Sequence, residues 1–330
     1  MRDAQRAGVS ARRLRHPRLE SPFHGVRMLG APVVKQPDND ESAFGREART
    51  LTAEILQLAR AYACIMPDWA FFSHVTAAVI WGFPVPIRLL RAAIRQVRRH
   101  GHLVPARGID VAVLGRRRAS KARGVRGHEL TPTQTTVRTV DGMRVLSSAS
   151  TWATLADELT VDELIEMGDA IVYIPRRHGM ERGTAEDAHA TIEQLRAAAL
   201  APRRRNRAKL LEALELIRVG AASPFETRVR IACVRAGLPE PELDYDVIAA
   251  DGTPIGFTEI AFPDQRLLIE GEGDHHRTDR AQWYRDIDKH TACEDAGWRV
   301  LRLVSTHVYP STGPAVERIT AALRRAGWSG

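Results

Sequence analysis

Cysteine is scarce in this chain of 330 residues, and its three cysteines, Cys64, Cys233 and Cys293, lie far apart. Their spacing matches neither a disulfide framework nor a cluster of metal-binding thiolates, so we expect a reducing, cytoplasmic setting. No apolar run approaches the roughly 20 residues that span a bilayer, so no membrane partner is expected. The arginine-containing N-terminus lacks a following apolar segment, which predicts no secretory signal.

The composition is that of a globular protein with a basic surface. Hydrophobic residues make up 44% of the chain, enough for ordinary cores, and the length allows two or three domains. The formal net charge is +8 and the sequence pI is near 9.9, which favours a polyanionic partner such as DNA. Arginine-rich composition can also reflect GC-rich coding, so the charge alone does not identify the partner.

The apolar patterns of the first 218 residues predict a mainly helical α/β region with a small sheet. Residues 1–45 form either a basic arm or the remnant of a winged-helix module. Apolar spacing predicts helices over residues 47–63, 74–81, 185–200 and 209–217, and strands within 102–114 and as a pair near 128–130 and 143–146. At the start of the second helix, we expect His74 to be a hydrogen-bonded structural histidine rather than a catalytic one.

Two basic segments in this region are candidates for contacts with nucleic-acid phosphates, which would give a salt-dependent affinity that is independent of sequence. The residues concerned are Arg116, Arg117, Arg118 and Lys121 in the first segment and Arg203, Arg204 and Arg205 in the second.

Residues 219–330 predict a second domain with the order α-β-β-β-α-β-α. The run Ser223-Pro224-Phe225-Glu226 combines an N-cap serine, a proline at the first helical position and a capping-box glutamate. Asp251-Gly252 predicts the turn of a β-hairpin. A third strand is expected over residues 266–272, a helix over 279–296 and a fourth strand over 298–303.

Three carboxylates in this domain predict a metal site. Glu270 and Glu272 fall on one face of the third strand because strand side chains alternate, and Glu259 lies on the neighbouring strand. Clustered carboxylates repel one another unless a cation neutralises them. Oxygen ligands suit Mg²⁺ or Mn²⁺, which we therefore expect as the cofactor. His276 follows the third strand and is suited to orienting or deprotonating water.

The following helix places Gln282, Asp286 and either Lys289 or His290 at helical spacing, so that one face can approach the site or a phosphate. A plainer interpretation also exists for two of the acidic residues. Glu226 can act as a capping-box residue alone, and Asp286 can pair with Lys289 or His290.

The segment from about residue 219 to residue 310 resembles the Vsr-like endonuclease domain family, a branch of the PD-(D/E)xK nuclease superfamily related to very-short-patch repair endonucleases. The resemblance rests on Glu226, Glu259, the segment Glu270-Gly271-Glu272-Gly273-Asp274-His275-His276, Arg285-Asp286 and Gly297-Trp298-Arg299-Val300-Leu301-Arg302. It implies a restriction-endonuclease-like α-β-β-β-α-β domain that hydrolyses DNA phosphodiester bonds with Mg²⁺. The implied catalytic residues are Glu226, Glu259, Glu270, Glu272, His276 and Asp286, of which Glu259, Glu270 and Glu272 hold the metal. From the helical spacing given above, we expect Gln282 and Lys289 to contact DNA.

A second resemblance covers residues 46–218. The segments SHVTAAVIWGFPVP and SSASTWATLADEL are similar to AbiEi-family abortive-infection antitoxins. This similarity implies a partner protein in a toxin–antitoxin or repair system.

The chain departs from the endonuclease pattern at three positions. Glutamate stands at 259 and 272, where the family has aspartate, and Gly271 replaces an aromatic residue. Each added methylene moves a carboxylate by about 1.5 Å. Three functions therefore stay open: a metal-dependent nuclease, a non-catalytic DNA-binding or antitoxin-like regulator that keeps the nuclease fold, and a protein-interaction module.

Overall fold

The computed structural model describes residues 2–30, 43–94, 96–99, 102–105, 108–177, 181–249, 251–272 and 289–330. Within these residues the protein is a mixed α/β structure, as predicted. It divides into two compact units, the first comprising residues 2–159 and 195–207 and the second residues 160–194 and 208–330, apart from the gaps just given. None of the helices in the described ranges has the length and apolar character that a membrane span requires.

The first unit contains seven helices and nine strands within its described residues. They are α1 (Arg2–Arg6), α2 (Ala11–Leu14), β1 (Leu19–Glu20), β2 (Met28–Leu29), α3 (Ala43–Ala63), β3 (Ala70–Phe72), α4 (His74–Trp81), α5 (Ile87–Ile94), β4 (Gln96–Arg99), β5 (His102–Pro105), β6 (Ile109–Leu114), β7 (Val125–Leu130), β8 (Val137–Val140), β9 (Met143–Leu146), α6 (Ser148–Thr154) and α8 (Ile192–Leu200). Between α6 and α8 the chain passes through the second unit, and the next helix begins at Arg207, the last residue of the first unit.

Five of these strands form one sheet in the order β7-β6-β3-β9-β8. The central strand, β3, is antiparallel to β6 and parallel to β9, and all three of its residues are buried. Its brevity explains why sequence periodicity does not reveal it. The strands predicted near 128–130 and 143–146 exist, but the expected pairing is wrong, because β6 and β3 lie between β7 and β9.

The helix predicted over residues 185–200 is shorter than expected. A separate 3₁₀ turn spans Ala185–Asp187, and α8 begins only at Ile192. The boundary is set by Thr191, whose Oγ1 accepts a hydrogen bond from the Gln194 backbone N–H at 3.3 Å, while the Gln194 side chain accepts one from the Thr191 N–H at 3.2 Å. Such reciprocal bonds fix a helix N-terminus.

The second unit holds a four-stranded sheet in the order β10-β11-β12-β13, where neighbours are antiparallel except for the parallel pair β12–β13. Its elements are α7 (Val161–Val172), α9 (Arg207–Leu216, whose first residue belongs to the first unit), α10 (Pro224–Arg235), β10 (Glu242–Ile248), β11 (Pro254–Phe262), β12 (Leu267–Glu272), α11 (residues 289–295), β13 (Arg299–Val304), α12 (Ser305–Val308) and α13 (Gly313–Arg325).

Local signals in the sequence produce several of these elements. The Ser223 hydroxyl caps α10 by accepting from the Glu226 N–H at 3.3 Å, with Pro224 in the first turn. Gly252 adopts a positive φ of 86° in the turn between β10 and β11, as the predicted hairpin requires.

Apolar side chains cover both faces of this sheet. On one face, Ile260 and Ile269 pack with Val229 of α10 and Ile319 of α13. On the other, buried side chains that include Val247 and Leu268 pack with Cys293 of α11. The two layers hold α10 and the strands in fixed positions, which brings the start of α10 close to β11 and β12.

Candidate functional site

The start of α10 places Glu226 in a buried position, with only 2% of the residue exposed. Its Oε1 accepts a hydrogen bond from the Ser223 hydroxyl at 2.7 Å, and its Oε2 accepts one from the Ala222 backbone N–H at 2.8 Å. The capping role allowed by the sequence is therefore present. Both donors are uncharged, so they solvate the carboxyl group without supplying a positive charge.

Glu259 on β11 reaches over Gly271 of β12. A Cβ atom at Gly271 would lie 3.3 Å from Oε2 of Glu259 and 2.8 Å from Cε1 of Phe225, the residue before Glu226. The Glu259 carboxylate and the Phe225 ring thus occupy the space that a side chain at position 271 would need. This close approach leaves no room for an aromatic side chain at position 271.

Glu226 and Glu259 influence each other electrostatically. Burial, followed by the negative charges of Glu259 and Asp244, raises the pKa of Glu226 to about 7, against the opposing effect of the hydrogen bonds from Ser223 and Ala222. Glu226 consequently holds a proton close to neutral pH while a second carboxylate stands beside it. A pair of this kind can accept either a proton or a cation.

Asp244 extends this acidic group on the β10 side, and sequence reasoning missed it. Its backbone has a positive φ of 49°, and its Oδ1 accepts a hydrogen bond from Arg176 Nε at 2.5 Å. Arg176 also pairs with Asp246 at 2.7 Å. Near them, burial raises the pKa of the Tyr173 phenol, and the negative charge of Asp244 adds to the shift. Tyr173 and Arg176 come from the segment after α7, so no local pattern links them to the β10 acids.

Glu270 on β12 has a cationic partner. Lys289 Nζ lies 2.8 Å from Glu270 Oε1, and the two side chains are 28% and 30% exposed. Ile260 of β11 pairs with Ile269 of the antiparallel β12, so the next position of this register places Glu259 opposite Glu270. Lys289, which the sequence predicts as a DNA contact, therefore neutralises one of the predicted metal ligands.

Of the remaining predicted catalytic and DNA-contacting residues of the second unit, the structure describes only the backbone of Glu272. The backbone of Glu272 ends β12 opposite Val304, but its side chain lies outside the described residues, as do His276, Gln282 and Asp286. Within the described part of the chain, no three His, Cys, Asp or Glu side chains converge as a metal ion would require. The site formed by Glu259, Glu270 and Glu272 stays a prediction.

Six of the seven predicted phosphate contacts of the first unit are exposed, and the seventh, Arg204, is half-buried. Arg116, Arg117, Arg118 and Lys121 are exposed in the loop between β6 and β7. The Arg117 guanidinium lies over the Trp69 ring at 4.8 Å from its centroid. Arg203, Arg204 and Arg205 form the turn between α8 and α9, where Arg204 donates hydrogen bonds to the carbonyls of Ala198 and Gln134.

A cavity in the first unit contains a second group of polar side chains that sequence reasoning did not predict. His74 and His128 line it, and their rings stack with centroids 3.8 Å apart and an interplanar angle of 19°. His128 Nε2 lies 2.8 Å from Oδ1 of the buried Asp110. The expectation that His74 is hydrogen-bonded is confirmed, since its Nδ1 lies 3.0 Å from the Ser73 hydroxyl.

Comparison with known proteins yields two relatives from Mycobacterium tuberculosis. The chain is 31% identical over 110 residues to uncharacterized protein MT2308 of strain CDC 1551 and, with the same figures, to uncharacterized protein Rv2248 of strain H37Rv. The aligned segment covers 33% of this chain and 40% of each relative, so the chain spans less than half of their length. No protein-family model matches the chain, and no solved structure matches it either.

Proposed function

We propose that the second unit is a nuclease-type domain of the PD-(D/E)xK kind that hydrolyses DNA phosphodiester bonds with the help of Mg²⁺ or Mn²⁺. The observation that carries the proposal is the pair Glu226 and Glu259, brought together from a helix start and a strand by the glycine at 271. A four-stranded sheet flanked by α10 and α11 supports it. A cytoplasmic location and a partner in DNA repair or defence are part of the same proposal.

The residues of the pair fit a hard divalent cation in donor type, because such ions prefer carboxylate oxygens. Glu259 would be the first ligand, and Glu226 would join it once it has lost its proton. Glu270 would contribute when the Lys289 ammonium moves to another anion, such as a substrate phosphate. When bound, the ion would polarise the scissile phosphate as a Lewis acid.

The protein's own cations complete the proposal. Lys289, which is only 28% exposed and is held at 2.8 Å by Glu270, is suited to stabilising negative charge that develops on a phosphate. Glu272, His276, Gln282 and Asp286 keep the roles that the endonuclease resemblance implies. In the first unit, the exposed basic residues Arg116, Arg117, Arg118 and Lys121 of the β6–β7 loop would contact the DNA backbone.

Cleavage of supercoiled plasmid tests the proposal. Wild type, Glu259→Gln and Glu270→Gln are incubated with Mg²⁺, Mn²⁺ or EDTA, beside Glu317→Gln, which removes an exposed carboxylate from α13. We expect nicking that requires the metal, falls at least about 100-fold in the first two variants and is unchanged in Glu317→Gln. Absence of cleavage with either metal, or equal cleavage by all four proteins, would reject the proposal.

A second candidate is a DNA-binding or antitoxin-like regulator that keeps this architecture without catalysis. The observation that favours it is charge compensation, because Lys289 already neutralises Glu270, and Arg176 contacts both Asp244 and Asp246. A gel shift in EDTA distinguishes the two functions. The regulator binds DNA without metal and is unaffected by Glu270→Gln, and it leaves the plasmid intact under every condition.

A further inference from the structure

The cavity of the first unit has the size and chemistry of a ligand site. Its volume is about 470 Å³, within the range of roughly 300–1,000 Å³ typical of small-molecule pockets. Two imidazoles and four guanidinium groups line it, together with the carboxylates of Glu129, Asp157 and Glu158. All of these residues belong to the first compact unit, whereas the carboxylate pair with Glu226 belongs to the second.

The histidines of the cavity are held in fixed orientations. Asp110, which is 3% exposed, accepts at 2.8 Å from His128 Nε2, and the stacked ring of His74 fixes the plane of the His128 ring. The other ring nitrogen of His128, Nδ1, makes no hydrogen bond to the part of the chain that the structure describes. The ring of this cavity-lining histidine is thus oriented by its neighbours, with one nitrogen not engaged by any described residue.

The arginines fall into two groups. Arg126 pairs with Glu158 at 3.0 Å, and Arg205 lies 3.6 Å from Asp157, so these cations are at least partly compensated. Arg203 makes neither an ion pair nor a hydrogen bond to any described residue. The cavity therefore carries one uncompensated guanidinium and a second whose ion pair is long and exposed.

The backbone at the cavity is also unusual. His74 and Arg203, which both line it, have positive φ angles of 46° and 57°. Residues other than glycine seldom adopt this region, and such strain concentrates at binding sites. The bonds from Arg204 to the carbonyls of Ala198 and Gln134 hold the turn that carries Arg203. The site is accordingly organised before any ligand arrives.

We propose that this cavity binds a phosphomonoester. A terminal phosphate carries a charge of about −1.5 to −2 near neutral pH and three acceptor oxygens. These oxygens can accept from Arg203, from Arg205 and from the Nδ1–H of His128 as an imidazolium, whose Nε2–H donates to Asp110. The volume leaves room for the group to which the phosphate is attached. The source is either a free nucleotide or the 5′-phosphorylated end of a DNA strand. Binding requires neither a metal nor the carboxylates of the second unit, so it goes beyond the proposed hydrolysis and can fail independently of it.

Calorimetric titration of the full chain in EDTA tests the proposal. The probes are inorganic phosphate, adenosine monophosphate and a short oligonucleotide with either a 5′-phosphate or a 5′-hydroxyl group. We expect the phosphomonoesters to bind, and Arg203→Gln and His128→Gln to weaken binding by about tenfold each, the loss typical of one charge-assisted hydrogen bond. The controls are Arg196→Gln on α8 and His24→Gln, both exposed residues away from the cavity, which should leave the affinity unchanged.

The pattern of outcomes identifies the source or rejects the site. Binding of adenosine monophosphate alone identifies a free nucleotide, and binding of the 5′-phosphorylated strand over the 5′-hydroxyl strand identifies a DNA end. Equal affinity for the two oligonucleotides without affinity for the monophosphates would overturn the proposal, because the ligand would then be a phosphodiester backbone. An equal loss in Arg203→Gln and Arg196→Gln would also overturn it. Arg203 is exposed, so its variant is expected to fold even if His128→Gln does not.

Discussion

Two buried carboxyl groups, Asp110 in the first unit and Glu226 in the second, have opposite surroundings. In the first, Asp110 contacts His128 at 2.8 Å and lies 3.8 Å from the Arg126 guanidinium. In the second, the described donors to Glu226 are the uncharged Ser223 hydroxyl and Ala222 N–H, and Glu259 stands nearby. Both acids are almost fully buried, at 3% and 2% exposure. The basic partners therefore make Asp110 an orienting group, whereas Glu226, which has no basic partner among the residues that the structure describes, is ready for a proton or a cation.

The largest expected effect comes from removing the cation beside a third buried acid, Asp169. Arg230 and Asp169 are both fully buried and lie 3.0 Å apart. Arg230→Gln should lower the free energy of unfolding by about 3–5 kcal/mol, since it leaves a buried carboxylate without its counter-charge. Urea unfolding at neutral pH measures the loss.

A matched control for that variant lies on the same helix. Arg235 pairs with Asp162, and both side chains are about half exposed. Arg235→Gln should cost less than about 1 kcal/mol, because solvent screens the pair. If the two variants lose similar stability, cation contact is not what stabilises a buried acid in this unit.

The second-largest expected effect is an increase in the free energy of unfolding when Glu226 is replaced by glutamine. The pKa of Glu226 is about 7 in the folded protein against an ordinary 4.5, so between these values the folded state binds more protons than the unfolded chain. The stabilising contribution of the protonated group is complete below the ordinary value and is lost as the pH rises to about 7. Glu226→Gln should therefore raise the free energy of unfolding by up to about 3 kcal/mol at about pH 8 and change it little near pH 4.5.

Unfolding curves of wild type and Glu226→Gln across this pH range check the prediction. In the variant, the free energy of unfolding should still fall somewhat as the pH rises, because burial also raises the pKa of Glu166 to about 7. Glu317→Gln, which removes an exposed carboxylate, should reproduce the wild-type slope. A variant that is equally destabilised at both ends of the range would contradict the assignment of a protonated Glu226.

The smallest effect is expected at Asp110. Asp110→Asn keeps a hydrogen-bond acceptor for His128 but removes the charge, so stability should fall by about 1 kcal/mol. The exposed Asp141, whose nearest described cation lies 4.0 Å away, provides the control Asp141→Asn, with no measurable change. A gain in stability for Asp110→Asn would show that His128 and Arg126 do not compensate the buried charge.

The parts of the fold that could be predicted from the sequence are those set by a few adjacent residues. The Ser223-Pro224 start of α10 and the Asp251-Gly252 hairpin each depend on a few adjacent residues, and both are present. Prediction failed where the boundary depended on a weaker pattern, as when Thr191 starts α8 later than apolar spacing suggests.

The candidate sites were less predictable because their residues are distant in sequence. The endonuclease resemblance pointed to Glu226 and Glu259, but only the folded chain shows that Gly271 makes room for Glu259 and Phe225. Nothing in the sequence pairs Glu270 with Lys289. The cavity joins separate segments that carry His74, His128 and Arg203, and no motif connects them.

The most direct test of the central claim is a Mn²⁺ titration of the full chain, followed by the electron paramagnetic resonance signal of the free ion. At about pH 8 we expect a site that Glu259→Gln abolishes, that Glu226→Gln weakens at least about tenfold and that Glu317→Gln leaves intact. At about pH 5.5 the wild type should bind more weakly, because Glu226 takes up a proton. Mn²⁺ binding that is absent, or equal in wild type and Glu259→Gln at both pH values, would contradict the assignment of this carboxylate pair as a cation site.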